Sequence, residues 1–535
     1  MTLLSVEDLT LSINGSPILN GISFDLQAGN VLGVIGESGS GKSMTAYSVM
    51  HLLPGGSELN GSIRLKGHDL TRLDEAALCG VRGAQIGMVF QEPMTALNPV
   101  RTIGDQVAET VEVHGRGTRR EALQVARRTL DRVGLPADRF PLDRYPHELS
   151  GGQRQRVVIA MAIALQPAVL IADEPTTALD VTTQAQILDL LRGLVDADGM
   201  GLLMISHDLG VVAGMADRLA IMRRGDIVEA GPADEIFEAP AHAYTRALIE
   251  ASGHHPPRGP DRTREVPLLE VRDVVRTYRT PRPTFLAPPG HFRAVDGVSF
   301  SVRRGENVGL VGESGCGKST LTRAILGLDP IQGGEIRVAG NVVDADRRMA
   351  RADRRRMQVV FQDPYGSFNP RHRVERLVAE PFHLLDEPLS AGERRRRVGA
   401  ALDRVGLSAA DADRYIHEFS GGQRQRIAIA RALIIEPDLI LLDEAVSALD
   451  VSIRAQILDL LADLSRRLNL SYLFISHDLS VVRAVTDRVL IMRAGRIVEE
   501  GATETVFRNP QHAYTRQLIA SSPDIDSALA QRKIS

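Results

Sequence analysis

The sequence predicts an α/β fold in which one domain occurs twice in tandem. Short apolar runs such as VLGVI at 31–35 alternate with longer stretches of helical spacing such as TTQAQILDLLRGLVDA at 182–197. This alternation is typical of a largely parallel sheet covered by helices. The length of 535 residues is several times that of one domain. A set of short motifs also occurs twice in the same order, which indicates a duplication.

The repeated motifs divide the chain. Three of them, SGGQ, Asp-Glu and SHDL, return at a constant offset of 270 residues. We predict a first domain over 1–250, a polar, Pro-rich linker over 251–267 and a second domain over 268–535. The second copy also contains an insertion, which we place in a surface loop at 279–293. The matching segments are GESGSGKS (36–43) and GESGCGKS (312–319), VFQEP (89–93) and VFQDP (360–364), SGGQRQR (150–156 and 420–426), Asp-Glu (173–174 and 443–444), and SHDL (206–209 and 476–479).

Composition excludes several classes of protein. Hydrophobic residues make up 43% and charged residues 24% of the chain, which allows substantial cores and argues against wholesale disorder. The net charge of −4 provides no overall basic field for nucleic acid. Cys79 and Cys316 are too few for a disulfide framework, a four-cysteine zinc site or an iron–sulfur cluster. We expect a cytosolic chain without a signal peptide or a membrane-spanning segment.

Each copy contains a phosphate-binding loop. The pattern GxxxxGKS follows an apolar strand and opens a helix, so backbone N–H groups and the helix N-terminus can hold phosphates. The chain has only four lysines, and two of them occupy this motif in register, which argues against a merely structural glycine-rich turn. We expect the serine after each lysine to bind Mg²⁺. The predicted phosphate-binding residues are Gly36, Ser38, Gly39, Gly41, Lys42 and Ser43, then Gly312, Ser314, Gly315, Gly317, Lys318, Ser319 and Thr320.

Two carboxylates end a buried apolar strand in each copy. Asp-Glu after VLIA or LILL could be no more than the polar start of a loop. Next to a phosphate-binding loop, we interpret Asp173 and Asp443 as holding Mg²⁺ through water. Glu174 and Glu444 then orient or deprotonate the attacking water.

The SGGQ segment provides a second anion site in each copy. A Ser-Gly-Gly turn before a helix offers N–H groups and the helix dipole to an anion. Because each copy already has its own phosphate-binding loop, we predict that this surface serves the nucleotide of the other copy. The residues are Ser150, Gly151, Gly152 and Gln153, then Ser420, Gly421, Gly422 and Gln423.

In this order the motifs resemble those of the ABC ATPase superfamily over nearly the whole chain. The resemblance implies ATP as the nucleotide, an antiparallel β subdomain and a helical signature subdomain beside each parallel sheet. It also implies composite sites that pair Lys42 with Ser420 and Lys318 with Ser150. A lone histidine after a strand is more often a packed core residue, but the resemblance assigns His207 and His477 to the γ-phosphate. It implies that Gln91 and Gln362 bind the nucleotide and the metal ion. It also identifies ALD at 178–180 and 448–450 as the loop of the superfamily that follows the Asp-Glu pair.

Segments outside these motifs are similar to the peptide/nickel importer family of ABC ATPases. They are QEPMTALNP and QDPYGSFNP, together with the two HAYTR segments near 242 and 512. The resemblance implies two integral-membrane permeases, an extracytoplasmic solute-binding protein, and a peripheral position at the cytoplasmic face of the membrane. It places Met94, Leu97, Tyr365 and Phe368 in contact with the permeases, although packing within the helical subdomain also explains them. No cysteine cluster follows HAYTR, so we expect no iron–sulfur cluster.

Other interpretations remain for the imported solute and for the class of protein. Peptides are favoured over nickel or glutathione as the imported solute. A soluble tandem ABC protein acting on ribosomes or nucleic acid is the rival interpretation, but such proteins usually have a long charged helical linker. A GTPase is excluded because none of the four lysines lies in an [NT]KxD motif.

The two copies differ near the expected adenine site. Tyr278 occupies the position of the aromatic residue that stacks on adenine in this superfamily, whereas Ile13 stands there in the first copy. Ala445 also replaces Pro175. Because Ile13 lacks the flat face of an aromatic ring, we expect weaker nucleotide binding at the Lys42 site than at the Lys318 site.

Overall fold

The computed structural model describes residues 1–90, 96–177, 179–257, 266–280, 288, 290–345, 349–363, 366–447 and 449–532. The chain forms two compact units. The first comprises Met1–Ser252 and the segment from Pro523 onward, and the second comprises Gly253–Ser522. Each unit contains one copy of the repeated motifs.

The first unit alternates strands and helices in the predicted manner. Its strands are β1 (Thr2–Ile13), β2 (Ser16–Gln27), β3 (Val31–Ile35), β4 (Ser57–Leu65), β5 (His68–Asp69), β6 (Ile86–Val89), β7 (Val169–Asp173), β8 (Gly201–Ile205), β9 (Arg218–Arg223) and β10 (Asp226–Pro232). Its helices are α1 (Lys42–Val49), α2 (Glu75–Val81), α3 (Ile103–Val113), α4 (Arg119–Arg132), α5 (Gly151–Ile163), α6 (Val181–Asp198), α7 (Leu209–Met215), α8 (Ala233–Glu238) and α9 (Ala243–Ser252).

The second unit repeats this order. Its strands are β11 (Pro267–Thr280), β12 (Gly290–Arg303), β13 (Asn307–Val311), β14 (Gly333–Val338), β15 (Asn341–Val342), β16 (Met357–Val360), β17 (Leu439–Asp443), β18 (Ser471–Ser476), β19 (Arg488–Arg493) and β20 (Arg496–Ala502). Its helices are α10 (Lys318–Ile325), α11 (Arg351–Arg356), α12 (Val374–Val378), α13 (Ala391–Arg404), α14 (Gly421–Leu433), α15 (Val451–Leu468), α16 (Leu479–Val485), α17 (Thr503–Arg508) and α18 (Ala513–Ala520). A last helix, α19 (Ile525–Arg532), belongs to the first unit.

Each unit has two sheets. In the first, an antiparallel sheet has the order β2-β1-β4-β5 and a second sheet has the order β10-β9-β3-β8-β7-β6. The second sheet is parallel except at the β9–β10 pair. The second unit has the same two arrangements, and helices α3–α5 and α12–α14 lie between β6 and β7 or β16 and β17 in sequence. The predicted α/β fold, with its antiparallel and helical subdomains, is confirmed.

The strand order places the predicted chemistry on one edge. Strands β3, β8 and β7 are adjacent and parallel, with Val34 opposite Ile205 and Ile205 opposite Asp173. Because parallel strands end at the same edge, the loops that follow them meet there. Every residue of β3, β7 and β8 is buried, so their apolar sequences form the core and only their ends carry polar groups.

The predicted insertion loop at 279–293 is shorter than the sequence suggested. Strands β11 and β12 pair antiparallel as far as Thr280 opposite Gly290. The hairpin strands therefore extend into the Pro-rich segment. The prolines at 281, 283 and 289 lie outside the described residues.

The end of the chain corrects the predicted second domain, 268–535. Pro523 lies against the backbone of Gly210, and Arg532 donates hydrogen bonds to Ala216 O and Asp234 Oδ1 in the first unit. Helix α19 packs on α7, with Ile525, Ala528 and Leu529 half-buried at helical spacing. The last residues are thus part of the first unit because their apolar face is buried on α7.

Truncation after Ser522 is expected to loosen α7. It removes the apolar cover supplied by α19 and the Arg532 contacts, a loss on the order of 1–2 kcal/mol locally. Hydrogen exchange of the full-length and truncated chains measures this: amides of α7 exchange faster after truncation, whereas those of α16 in the second unit serve as the internal control. Equal exchange of α7 in both chains would show that α19 contributes nothing to it.

Candidate nucleotide-binding and hydrolysis sites

The phosphate-binding loop of the first unit connects β3 to α1. Gly41 caps α1 with φ 103°, a left-handed conformation that a glycine adopts without strain. The Lys42 side chain is buried and donates to the carbonyl oxygens of Gly36 and Glu37 at 2.6 and 2.9 Å. The tip at Ser38 and Gly39 is exposed. The loop therefore has the form of a cradle whose lysine lies folded against its own carbonyls.

Asp173, at the end of β7, lies next to this loop. Ser43 Oγ donates to Asp173 Oδ1 at 3.2 Å, whereas the buried Asp173 Oδ2 has no hydrogen-bond partner among the described residues. Burial, with a smaller effect from the Glu174 charge, raises the pKa of Asp173 to about 6. A buried carboxylate oxygen without a partner, next to a serine hydroxyl, fits a divalent cation that prefers oxygen ligands. Asp173 and Ser43 are the residues that would hold Mg²⁺.

Glu174 is held by two side chains. His207 Nδ1 lies 3.1 Å from Glu174 Oε1, and Thr177 Oγ1 donates to Glu174 Oε2 at 2.9 Å. Burial opposes ionisation of Glu174, but the hydrogen bonds and charge of His207 outweigh it and lower the pKa to about 2. Its backbone is left-handed, with φ 48°, which is a strained conformation for a glutamate at the end of a strand. Glu174 is therefore an ionised, fixed carboxylate beside the phosphate cradle.

The second unit has the same arrangement. Lys318 is buried and donates to the carbonyls of Gly312 and Glu313 at 2.6 and 2.9 Å, and Gly317 caps α10 with φ 112°. Burial, followed by the Glu444 charge, raises the pKa of Asp443 to about 6.

The glutamate–histidine pair of the second unit also matches the first. His477 Nδ1 lies 3.3 Å from Glu444 Oε1. Burial opposes ionisation of Glu444, but His477 outweighs it and lowers the pKa. Ser314 and Gly315 are exposed like Ser38 and Gly39, and Thr320 is half-buried. Ser319 differs from its counterpart: it is exposed, whereas Ser43 is half-buried and bonded to Asp173.

Sequence reasoning missed the residues that support the glutamates. Thr177 bonds the Glu174 carboxylate, whereas its counterpart Ser447 donates to the backbone carbonyl of Glu444 at 2.9 Å. The sequence feature that could have indicated them is a hydroxyl residue three positions after each glutamate. The first glutamate thus has one more side-chain hydrogen bond than the second.

Each SGGQ segment begins a helix. Ser150 N donates to Gln153 Oε1 at 2.9 Å, and Gln153 N donates to Ser150 Oγ at 3.4 Å, which closes a capping box on α5. Ser420 and Gln423 form the same box on α14 at 3.0 and 3.5 Å. The box fixes the start of each helix, where N–H groups of the first turn are available to an anion. Gly151 and Gly421 are exposed there, and Gly152 and Gly422 are buried.

The remaining predicted residues have separate outcomes. Gln91 and Ala178 lie outside the described residues, as do Met94, Tyr365 and Ala448. Gln362 is exposed after β16, where the sequence places it. Leu97 and Phe368 are buried, with exposed fractions of 4% and 5%, so their predicted role as surface contacts is wrong and the packing alternative holds.

Tyr278 lies near the end of β11 and is held on two sides. Its hydroxyl donates to Asp329 Oδ2 at 3.0 Å, and the Arg276 guanidinium lies 4.5 Å from the ring centre. Ile13, at the equivalent end of β1, packs half-buried against the apolar core of the first unit. The two units therefore differ at this position: the second has an aromatic ring held by two contacts, and the first has an aliphatic side chain packed on the core.

Comparison with known proteins agrees with this geometry. The family model described as ABC transporter matches residues 19–177 and 295–447. The chain belongs to the ABC transporter family. A second model, described as the C-terminal region of oligopeptide/dipeptide transporters, matches 228–272 and 498–534 of this ABC protein.

Two curated relatives align over nearly the whole ABC protein. One is the peptidoglycan transport ATP-binding protein YejF of Agrobacterium fabrum, 47% identical, with 98% of this chain and 97% of that protein covered. The other is the glutathione import ATP-binding protein GsiA of Escherichia coli K12, 47% identical, with 94% and 86% covered. The chain is an ATP-binding ABC ATPase subunit of this importer group.

Replacing Tyr278 with alanine in this ABC ATPase is expected to weaken nucleotide binding at the Lys318 site about tenfold. Loss of a stacked ring on the adenine costs roughly 1–3 kcal/mol, and about 1.4 kcal/mol corresponds to a factor of ten. Ile13→Tyr is expected to tighten the Lys42 site. The measurement is nucleotide titration in Lys42→Ala and Lys318→Ala backgrounds, each of which leaves mainly one site. Equal affinities of the two parent sites would show that the missing ring has no effect.

Proposed function

We propose that this chain hydrolyses ATP with Mg²⁺ at two sites to power import of short peptides or peptide-bearing solutes through partner permeases. The observation that carries the proposal is the repeated grouping of a buried lysine, an aspartate and a histidine-bound glutamate at one sheet edge. This grouping supports hydrolysis, and the C-terminal segments matched by the oligopeptide/dipeptide model support transport.

The residues divide the chemistry of hydrolysis. Lys42 and Lys318 leave the loop carbonyls and neutralise phosphate charge when nucleotide enters. Mg²⁺, when bound, offsets the charge of the β- and γ-phosphates. Asp173 and Asp443 hold it with the loop serines. Glu174 and Glu444 orient water and accept its proton, and His207 and His477 fix the carboxylates and contact the γ-phosphate.

We further propose two composite sites. The lysine loops and the SGGQ helices each provide backbone N–H groups for phosphate, so every unit holds two anion-binding ends. One bound nucleotide would use Lys42 with Ser420, and the other Lys318 with Ser150. The resemblance to the ABC ATPase superfamily implies this pairing.

The cargo proposal rests on the chemistry shared by the relatives' named solutes. Glutathione is a tripeptide, and peptidoglycan carries short peptide stems, so both named solutes contain peptide bonds. Nickel lacks this chemistry. Short peptides or peptide-bearing fragments are therefore the proposed solute class, with a glutathione-like solute as the specific alternative.

The proposal requires membrane partners and a solute-binding protein. In the described parts of the chain, no helix combines the length and apolarity needed to cross a bilayer. We propose that the chain sits at the cytoplasmic face of the membrane, bound to two permeases that an extracytoplasmic binding protein supplies. Nucleic acid is not part of the proposal.

Uptake in the source cell tests this function. A strain lacking the gene is expected to lose uptake of a radiolabelled tripeptide such as glutathione or of a peptidoglycan-derived muropeptide, while nickel uptake stays unchanged. The intact gene restores uptake, and a Glu174→Gln/Glu444→Gln copy, expressed to the same level, does not. Purification of the tagged chain from membranes is expected to recover integral-membrane proteins. Recovery with ribosomes instead, or loss of nickel uptake alone, would overturn the proposal.

A further inference from the structure

A buried tyrosine contacts the phosphate-binding loop in both units. Tyr244 and Tyr514 belong to the HAYTR segments, which the sequence singled out without giving them a role. The Tyr514 hydroxyl accepts a hydrogen bond from the backbone N–H of Glu313 at 3.0 Å, and Tyr244 accepts one from Glu37 at 3.1 Å. Glu37 and Glu313 directly follow the first glycine of each loop. Exposed fractions of 9% and 1% for Tyr244 and Tyr514 show that the contacts lie inside the units.

Further contacts hold each tyrosine in place. In the second unit, the Glu499 carboxylate accepts hydrogen bonds from Gln511 N at 2.8 Å and His512 N at 3.0 Å. His512 Nδ1 in turn accepts one from Tyr514 N at 3.1 Å. The Arg493 guanidinium lies 4.9 Å from the centre of the Tyr514 ring. These contacts connect β19 and β20 to the start of α18 and fix the direction of the ring.

The first unit has the same set of contacts. The Glu229 carboxylate accepts from Ala241 N and His242 N at 2.8 and 3.1 Å, and His242 Nδ1 accepts from Tyr244 N at 3.1 Å. Arg223 lies 4.9 Å from the Tyr244 ring centre. The repetition of every contact in two copies argues against an accident of one loop.

The backbone of Glu37 and of Glu313 is thus held at both its N–H and its carbonyl group. Lys42 and Lys318 donate to the carbonyl oxygens of these residues, while the tyrosines accept from their N–H groups. The lysine must leave its carbonyls when it turns to a phosphate, whereas the tyrosines bond the N–H groups of Glu37 and Glu313, which are not among the predicted phosphate-binding residues. The tyrosine can therefore hold the loop in both states.

We propose that Tyr244 and Tyr514 are positioning residues that keep the phosphate-binding loop in its nucleotide-binding shape and tie it to the C-terminal region of each repeat. A pre-organised loop loses less conformational freedom on binding, so its ligand binds more tightly. The inference rests on nucleotide binding at these loops, and it adds a link from the loop to the α9 and α18 helices.

Tyr514→Phe tests the link with a matched control in the same unit. Tyr472→Phe also removes the hydroxyl of a buried tyrosine, but that hydroxyl donates to Leu461 O at 3.1 Å and does not touch the loop. Both variants are made in the full chain with Lys42→Ala, which leaves mainly the Lys318 site. Binding of Mg²⁺ with the non-hydrolysable analogue AMP-PNP is measured by calorimetry, together with thermal midpoints.

We expect Tyr514→Phe to raise the Kd roughly three- to tenfold, the effect of one lost hydrogen bond. Tyr472→Phe should leave the Kd within about twofold while lowering the thermal midpoint at least as much. In the chain with both lysines, Tyr244→Phe/Tyr514→Phe should raise KM for ATP with kcat nearly unchanged. An unchanged Kd in Tyr514→Phe, or an equal rise in Tyr472→Phe, overturns the inference. Failure of the Lys42→Ala parent to bind AMP-PNP would instead refute the nucleotide site itself.

Discussion

Replacing Glu174 and Glu444 together with glutamine is expected to lower ATP turnover by about 10²–10⁴-fold while nucleotide binding persists. His207 and Thr177 contact different oxygens of the Glu174 carboxylate. The amide retains one oxygen as acceptor for His207, and its NH₂ group can donate to the Thr177 hydroxyl, so the local structure should survive. It cannot take a proton from water, and it lacks the negative charge that His207 maintains in the native site against the effect of burial. Phosphate release per chain and binding of ATP with Mg²⁺ are measured on the same preparations.

The two single variants provide the control for this prediction. Glu174→Gln leaves Glu444 intact, and Glu444→Gln leaves Glu174 intact. Thr177 bonds the Glu174 side chain, whereas Ser447 bonds the Glu444 backbone. The two single variants can therefore differ in ATP turnover. If the double variant turned over ATP at the parental rate, neither glutamate would take part in hydrolysis.

The sequence predicted which side chains gather at one edge of the sheet, because these groups follow buried parallel strands. Strands β3, β7 and β8 consist of apolar residues whose only polar groups come at their ends, and their adjacency brings those ends together. The contact between His207 and Glu174 follows from this arrangement, since Asp173 pairs with the strand residue just before the histidine segment.

Contacts between segments far apart in sequence were not predictable in the same way. Tyr244 and Glu37 are separated by about two hundred residues, and nothing in the local pattern of HAYTR indicates which backbone N–H its hydroxyl meets. The position of α19 is similar: an amphipathic stretch at the end of the chain predicts that one face is buried, without saying on which unit.

The error at Leu97 and Phe368 has a different cause. The prediction that both contact the permeases came from the family resemblance of QEPMTALNP and QDPYGSFNP, which carries no information on burial. Phe368 instead belongs to the core of the helical subdomain, with the Arg431 guanidinium 4.7 Å from its ring centre and Arg431 Nη1 donating to Ser367 O at 3.2 Å. The loop is held by its own buried side chain, which the sequence of the loop alone does not reveal.

Phe368→Asp is therefore expected to destabilise the helical subdomain of the second unit by about 3–5 kcal/mol, combining a cavity with a buried carboxylate. Leu97→Asp should act in the same direction in the first unit. Both ATPase activity and transport should fall. Thermal unfolding and hydrogen exchange of the helices at 374–378 and 421–433 are the direct measurements for Phe368→Asp.

Val100→Asp is the matched control, because Val100 lies three residues after Leu97 and is 78% exposed. A carboxylate there remains in water, so the thermal midpoint and the ATPase activity of the purified chain should match the parent. If this segment meets a permease, Val100→Asp should lower uptake in cells while leaving the purified ATPase intact, since an unpaired charge would enter an interface. Stable, active Leu97→Asp and Phe368→Asp chains would contradict their burial. Full uptake by cells with Val100→Asp would show that this exposed position does not contact a permease.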